Sequence, residues 1–521
     1  MKKNNDATSR TKNSVYNMIA SILANSLSII IGLIARIFFI KYLGNEYLGL
    51  NGLFSNIISM LSIVELGMGS TIIYNLYKPI ANNDIDTIKS LMKFYKKSYH
   101  LIGAVVLVLG IILIPFLPSI IGNSAIPVNQ TIIYLLFLAD SVFSYFLSYK
   151  RSMLYAQQKD YVVQYINVFY LITLNVVQII ILMITKNYYL YLLIKILFRI
   201  VENVIINIIA NKMYPYLRDD QVKPLEKNIQ KDIFKKIKAL FFHQIGSFVI
   251  NGTDNIIISK YIGIAVVGLY SNYYMIINAV RTVTKQIISA TTPSIGNLLV
   301  TESQDKQYSV FKKIRFANFW IACVCGVCIY ILMEPFITIW IGKEYILDNI
   351  VLLVLSINFF QKTMRDTYGS FKNAAGIFYE DRFVPIIESI INIIVSIILV
   401  KKIGLPGVFI GTIVSGLVLW LYSYPILVYK KIFNRNYLQY LKETIGYIIA
   451  FLTILVITNY ISSKIIVDSV FITLIVRFLI CLIIPNLIIF IVFGRTSNFR
   501  YFLTASNALL KKIKKKILNK R

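Results

Sequence analysis

Apolar runs of about 20 residues follow one another along this chain with short interruptions, and that spacing leaves few folds open. A helix of that length spans the ~30 Å hydrocarbon core of a bilayer. Within lipid a backbone N–H or C=O finds no water, so each spanning segment must satisfy its own hydrogen bonds as a helix. Composition agrees, because 57% of the 521 residues are hydrophobic and only 15% are charged. Soluble domains carry about a quarter charged residues. The expected fold class is an all-α polytopic membrane protein with about 14 transmembrane helices. The spans fall near 14–40, 48–76, 98–117, 131–155, 161–184, 188–210, 239–259, 265–296, 315–341, 348–371, 383–400, 406–429, 443–461 and 466–493. The second, fourth, eighth and tenth are rich in Asn, Ser, Thr and Gly, which suits helices facing protein or water.

A net charge of +30 would suggest nucleic acid in a soluble chain. Here position explains it. One set of connections holds only Lys41, Lys186, Lys260, Lys343, Lys401, Lys402 and Lys464 of the 54 Lys and Arg. The basic residues of the remaining connections and both tails lie on the other side, the cytoplasmic side by the positive-inside rule. Both termini are therefore expected in the cytoplasm of a multi-pass protein of the cell membrane, with no nucleic-acid partner. The first apolar stretch is long and lacks a small-residue cleavage site, so no cleavable signal peptide is expected. The basic tail KKIKKKILNKR suits anionic headgroups or a plain stop-transfer flank. The cysteines of CVCGVC, Cys323 to Cys328, lie within an apolar run without a second CxxC. With only His100 and His243 as histidine ligands, they read as small packing residues and not as a metal site.

KYLGNEYLGL, Lys41 to Leu50, returns 219 residues on as KYIGIAVVGL, Lys260 to Leu269. Lysine, tyrosine, two glycines and leucine keep their spacing. Both copies join one span to the next, helix one to two and helix seven to eight. Six helices separate them, an even number, so the two units share one orientation and fit a parallel pseudo-two-fold repeat. The expected organisation is a cytoplasmic N-terminus (1–13), an N-lobe of six helices (14–210) and a basic linker (211–238). A C-lobe of six helices (239–430), a C-terminal helix pair (431–493) and a basic tail (494–521) follow.

Ionisable side chains within a bilayer are costly, so those present mark a cavity or pair with one another. Lys195 and Arg199 are four apart, as are Arg281 and Lys285, and Lys362 and Arg365 are three apart, so each pair shares one helix face. With Arg36 they are the candidate substrate-binding residues. Two lobes presenting such faces would form a central cationic cavity for a multiply anionic headgroup such as a diphosphate. Arginine can hold that group with two parallel hydrogen bonds and lysine as a point charge. Among the acids, Glu202 follows Arg199 by three and Asp366 follows Lys362 by four, which suits neutralisation of neighbours. Glu65 and Asp254 have no partner at helical spacing and, with Asp140, are the candidates for binding a coupling proton or sodium ion.

Several stretches resemble bacterial polysaccharide flippases of the Wzx/PST type. They are GNEYLGLNGLFSNIISMLSIVELGMGSTIIYNLYKPIANND beginning at Gly44, EPFITIWIGKEYIL at 334–347, and FKNAAGIFYEDRFVPIIESIINIIVSIILVKKIGLPGVFIGTIVS at 371–415. The likeness is collinear over essentially the whole chain. It implies membership of the multidrug/oligosaccharidyl-lipid/polysaccharide (MOP) exporter superfamily, hence a MATE-like pair of six-helix lobes plus two C-terminal helices. It also implies a flippase for undecaprenyl-diphosphate-linked oligosaccharide units, working by alternating access in surface polysaccharide biosynthesis. The implied partners are that lipid-linked oligosaccharide, membrane lipids, a polysaccharide polymerase and glycosyltransferases, with the chain itself a monomer. In the related lipid II flippases, arginines on the first and eighth helices matter. Arg36 and Arg281 occupy the corresponding helices by helix, not by aligned position.

No catalytic motif, cofactor motif or Walker A sequence is present, so a non-enzymatic transporter is expected. A membrane polysaccharide polymerase would be expected to carry a sizeable external loop, and the external connections here are short. A multidrug exporter of the same superfamily is the nearer rival. Its cavity should be acidic, whereas here eight intramembrane cations face seven anions.

Overall fold

The computed structural model describes residues 2–65, 68–122, 126–219, 222–377, 380–465 and 467–504. Among them there is no β-strand, and every expected span coincides with helix. The basic tail from Ala505 onward lies outside the described residues. The chain forms two compact units, 1–271 and 272–521. The first comprises α1 (Lys2–Leu43), α2 (Asn45–Leu61), α3 (Met68–Ala81), α4 (Ile85–Leu113), α5 (Leu117–Ile121), α6 (Gln130–Leu147), α7 (Arg151–Ala156), α8 (Asp160–Thr185), α9 (Tyr188–Met213), α10 (Lys227–Tyr261) and the start of α11 (Ile264–Ser289). The second holds the rest of α11 and then α12 (Thr292–Thr301), α13 (Gln304–Trp340), α14 (Asn349–Ala374), α15 (Val384–Ile403), α16 (Leu405–Val418), α17 (Tyr437–Ser463) and α18 (Val470–Phe493). The packing boundary thus falls inside α11, beyond the basic linker, because α10 packs against α2, α3 and α5. Among the described residues, nine helical segments are long and apolar enough, by length and composition alone, to cross a membrane.

Three of the four polar spans are not single helices. The second passes through a 3-10 turn at Ser62–Glu65 between α2 and α3, and the eighth is divided between α11 and α12, where Pro293 enters the new helix. The fourth ends as an apolar helix at Leu147, short of the expected 155, and continues as a 3-10 turn and α7. The tenth, α14, is continuous, and its Ser356, Thr363 and Thr367 are fully buried. The twelfth changes to a π-helical stretch at Leu419–Lys430 containing Pro425, which has no N–H for an α-helical bond.

The two copies of the repeated decapeptide pack on each other. Gly44 and Gly263, equivalent positions, both take positive φ, 89° and 134°, and end one helix before the next begins. A Cβ on Gly49 would collide with the carbonyl oxygen of Ile264, and one on Gly268 would collide with that of Asn45. Asn45 and Ile264 are themselves equivalent, so the contact is reciprocal, as a local two-fold requires. The Asn45 amide closes the seam by donating to the Ala265 carbonyl at 2.6 Å. Only glycine lets the two backbones approach this closely.

In the second unit, aromatic side chains join α13, α14, α17 and α18. Phe360 stacks on Phe451 with centroids 4.1 Å apart, and Trp320 donates to Asn486 at 2.6 Å. The C-terminal pair is therefore packed onto α13. At one end of α13, Arg315 is 1% exposed and donates to Glu443 at 2.8 Å, Tyr429 at 2.5 Å and Thr444 at 2.8 Å. Removing one member of such a network leaves the other charge uncompensated, at a cost of about 3–5 kcal/mol. Arg315→Ala should therefore lower the melting temperature of the detergent-solubilised protein, and Arg315→Ala/Glu443→Leu should recover part of the loss. A single variant melting with the parent would overturn this assignment.

Candidate functional site

In the first unit, Arg36 sits on α1 and its Nη1 donates to Ser271 Oγ at 3.1 Å. Lys195 and Arg199, one turn apart on α9, meet Asp140 of α6 at 3.1 and 3.5 Å. Arg199 also reaches Glu202 at 2.9 Å, the neutralisation its spacing suggested. Arg151 of α7, which sequence reasoning left at the cytoplasmic edge, completes the cluster through Glu202 at 3.0 Å and Asn203 at 2.8 Å. Three cations thus share two carboxylates, with Glu202 only 2% exposed. Asp140, a candidate coupling residue, is held within this ion-pair cluster. No local pattern links α6, α7 and α9, so the sequence carried no signal for it.

Glu65 lies in the 3-10 turn and accepts a hydrogen bond from Tyr99 at 3.1 Å, with Tyr145 also beside it. No ion pair to Glu65 exists among the described residues. Its partners among the described residues are the neutral hydroxyls of Tyr99 and Tyr145. Asp254 is buried on α10 next to Asn255, whose amide points to the Gly52 carbonyl at 3.4 Å.

In the second unit, Arg281 makes a two-pronged ion pair with Asp366. Its Nη1 and Nη2 lie 2.5 and 2.8 Å from the two carboxylate oxygens, and Nη2 donates in addition to the Lys362 carbonyl at 3.0 Å. The spacing had assigned Asp366 to Lys362 instead. Arg365, on the same helix α14, pairs with Glu388 of α15 at 2.7 Å. Its guanidinium fills the space where Gly416 of α16 lacks a side chain. Lys285 is exposed on α11, one turn beyond Arg281, and makes no ion pair among the described residues. The paired cations of the sequence are thus largely divided among carboxylates on neighbouring helices, and an anion would have to compete for them. Among the described residues no cluster of His, Cys, Asp or Glu could hold a metal ion.

Solved structures share this fold. The chain is similar to "Lipid II flippase MurJ, inward closed conformation" at a TM-score of 0.66 and 16% identity, covering 92% of this chain and 99% of that one. It is also similar to the inward-facing conformation of a multidrug resistance MATE family transporter of the MOP superfamily. There the TM-score is 0.55 at 14% identity, over 75% of this chain and 91% of that one. A mutant of the Vibrio cholerae MATE transporter VcmN gives 0.54 at 14% identity, over 82% of this chain and all of that one. These identities establish a shared fold. No curated protein sequence matches the chain. The family described as "Polysaccharide biosynthesis protein" matches residues 14–299, more than half of the chain, and so this multi-pass membrane protein belongs to the polysaccharide biosynthesis protein family.

Proposed function

We propose that the chain is a flippase that moves undecaprenyl-diphosphate-linked oligosaccharide units across the cytoplasmic membrane for surface polysaccharide biosynthesis, by alternating access. The family match over residues 14–299 carries this reading, supported by a lipid II flippase fold over nearly the whole chain. The physical task is to carry a diphosphate through a region where a bare charge costs several kcal/mol. Arg36, Arg281 and Lys285, helped by Lys195, Arg199, Lys362 and Arg365, supply compensating charge, while the polyprenyl tail stays in lipid. A recess of about 520 Å³ between α11, α13 and α18, lined by apolar side chains including Val280, Leu332, Leu474 and Phe478, suits such a tail. Glu65, Asp254 and Asp140 remain the proposed coupling residues. Both termini face the cytoplasm in this reading, and a polymerase and glycosyltransferases are the partners of a monomer.

Complementation tests it. In a strain lacking its own flippase, the parent chain should restore surface polysaccharide. Lys285→Ala, at an exposed position with no ion pair among the described residues, should lower that yield at least about tenfold at equal protein in the membrane, the loss of one charged contact. Arg36→Ala should behave likewise. Normal polysaccharide from both variants would overturn the cationic site. The MATE-like fold gives the second reading, a multidrug exporter. That reading requires the parent to raise drug resistance and to leave polysaccharide unrestored.

A further inference from the structure

A basic recess in the first unit is not used by the transport reading. Asp84 caps α4 by accepting from the Thr87 N–H at 3.0 Å and from its hydroxyl at 2.6 Å. These bonds hold the Asp84 carboxyl below the usual aspartate range. From that start, Lys89, Lys93, Lys96 and His100 follow at steps of four, three and four, so they form one face of the helix. Lys97 stands beside them, and Lys150 enters from the turn after α6. Tyr216, Leu217, Asp219 and Val222, from the segment after α9, close a cavity of about 240 Å³ around them. Asp219 is the only acid among the described lining residues, and Lys89 takes it at 2.5 Å. Lys93, Lys96 and Lys97 make no ion pair among the described residues. Lys150 is 6% exposed, donates to Asn211 at 2.5 Å, and feels the like charges of Lys96 and Arg218.

Such a cluster repels itself until an anion enters. Along α4 the lysines give way directly to exposed apolar side chains, with Leu101 66% and Val108 56% exposed. The recess therefore lies where the helix passes from water into lipid, the level of lipid phosphates. We infer that this recess binds a phosphate-bearing anion, presented by the headgroup of an anionic phospholipid, through Lys93, Lys96, Lys97 and Lys150. Basic pockets between membrane helices at this level suit such headgroups.

The test is native mass spectrometry of the full detergent-solubilised chain, with phosphatidylglycerol or phosphatidylcholine titrated in. Phosphatidylglycerol should be retained at least about tenfold more strongly than phosphatidylcholine. Lys93→Gln/Lys96→Gln/Lys97→Gln should remove the preference, and Lys227→Gln/Lys231→Gln/Lys235→Gln, on exposed α10 positions outside the recess, should keep it. An equal loss in both triple variants would reduce the effect to overall charge and overturn the site. A second arm adds inorganic phosphate at millimolar concentration. Stabilisation of the parent by free phosphate, with no preference between the two lipids, would overturn the headgroup as its source.

Discussion

A disulfide between cysteines placed at positions 45 and 265 should stop translocation, and reducing it should restore translocation. Asn45→Cys and Ala265→Cys are introduced after Cys323, Cys325, Cys328 and Cys481 have been replaced by alanine, so that no other pair can form. The expectation follows from the reciprocal glycine seam. Gly49 and Gly268 let α2 and α11 touch through their backbones, and the Asn45 amide donates across that contact. In the orientation proposed above, both turns lie at the external side. An alternating-access cycle must part this seam to release its cargo outward, so a covalent tie there stops the cycle at one step. Gly49→Val acts on the same contact in the opposite direction. Overpacking costs about 1–3 kcal/mol, roughly a 5- to 150-fold shift away from the closed seam. The variant should make the 45/265 pair slow to oxidise and should itself fail in complementation. Undiminished transport by the oxidised pair would mean that the seam is a static hinge.

The spans were legible in the sequence because lipid imposes one rule on every segment, a run of apolar residues of sufficient length. Breaks within spans obey no such rule. The 3-10 turn at Ser62–Glu65 and the π-helical stretch at Leu419–Lys430 lie inside apolar runs long enough to read as single spans. Three of the four polar spans are interrupted and the tenth, equally polar, is continuous, so polar content alone did not mark the breaks. The repeat, through Gly44, Gly49, Gly263 and Gly268, led to the expectation of two like-oriented units. Its direct self-contact could not be read, because spacing along a chain says nothing about which backbone lies opposite. Ion pairs divide in the same way. Arg199–Glu202 was visible at three residues, whereas Arg281–Asp366 and Arg151–Glu202 join residues far apart in the chain. For Asp366 the sequence reading offered only the nearer Lys362, four residues away on the same helix, and missed Arg281.

That last pairing decides how Arg281 must be tested. Arg281→Ala alone should abolish surface polysaccharide, yet the result would be ambiguous. The variant leaves Asp366, whose side chain is 10% exposed, without its two-pronged partner. An uncompensated buried charge costs about 3–5 kcal/mol, enough to reduce the folded protein without any role in binding. Arg281→Ala/Asp366→Ala removes both charges and with them that penalty, so protein in the membrane should return towards the parent amount. Transport should not return with it. A charge-assisted two-pronged grip on a phosphate is worth about 2–3 kcal/mol, so the double variant should remain about 30- to 150-fold below the parent. Arg281→Lys keeps the charge but loses the fork, and should fall between the two. Asp366→Asn frees the guanidinium while sparing its shape, and should bind the anionic headgroup at least as tightly as the parent. If the double variant restores polysaccharide together with protein, Arg281 serves only Asp366. The anionic cargo would then be held by Arg36 and Lys285.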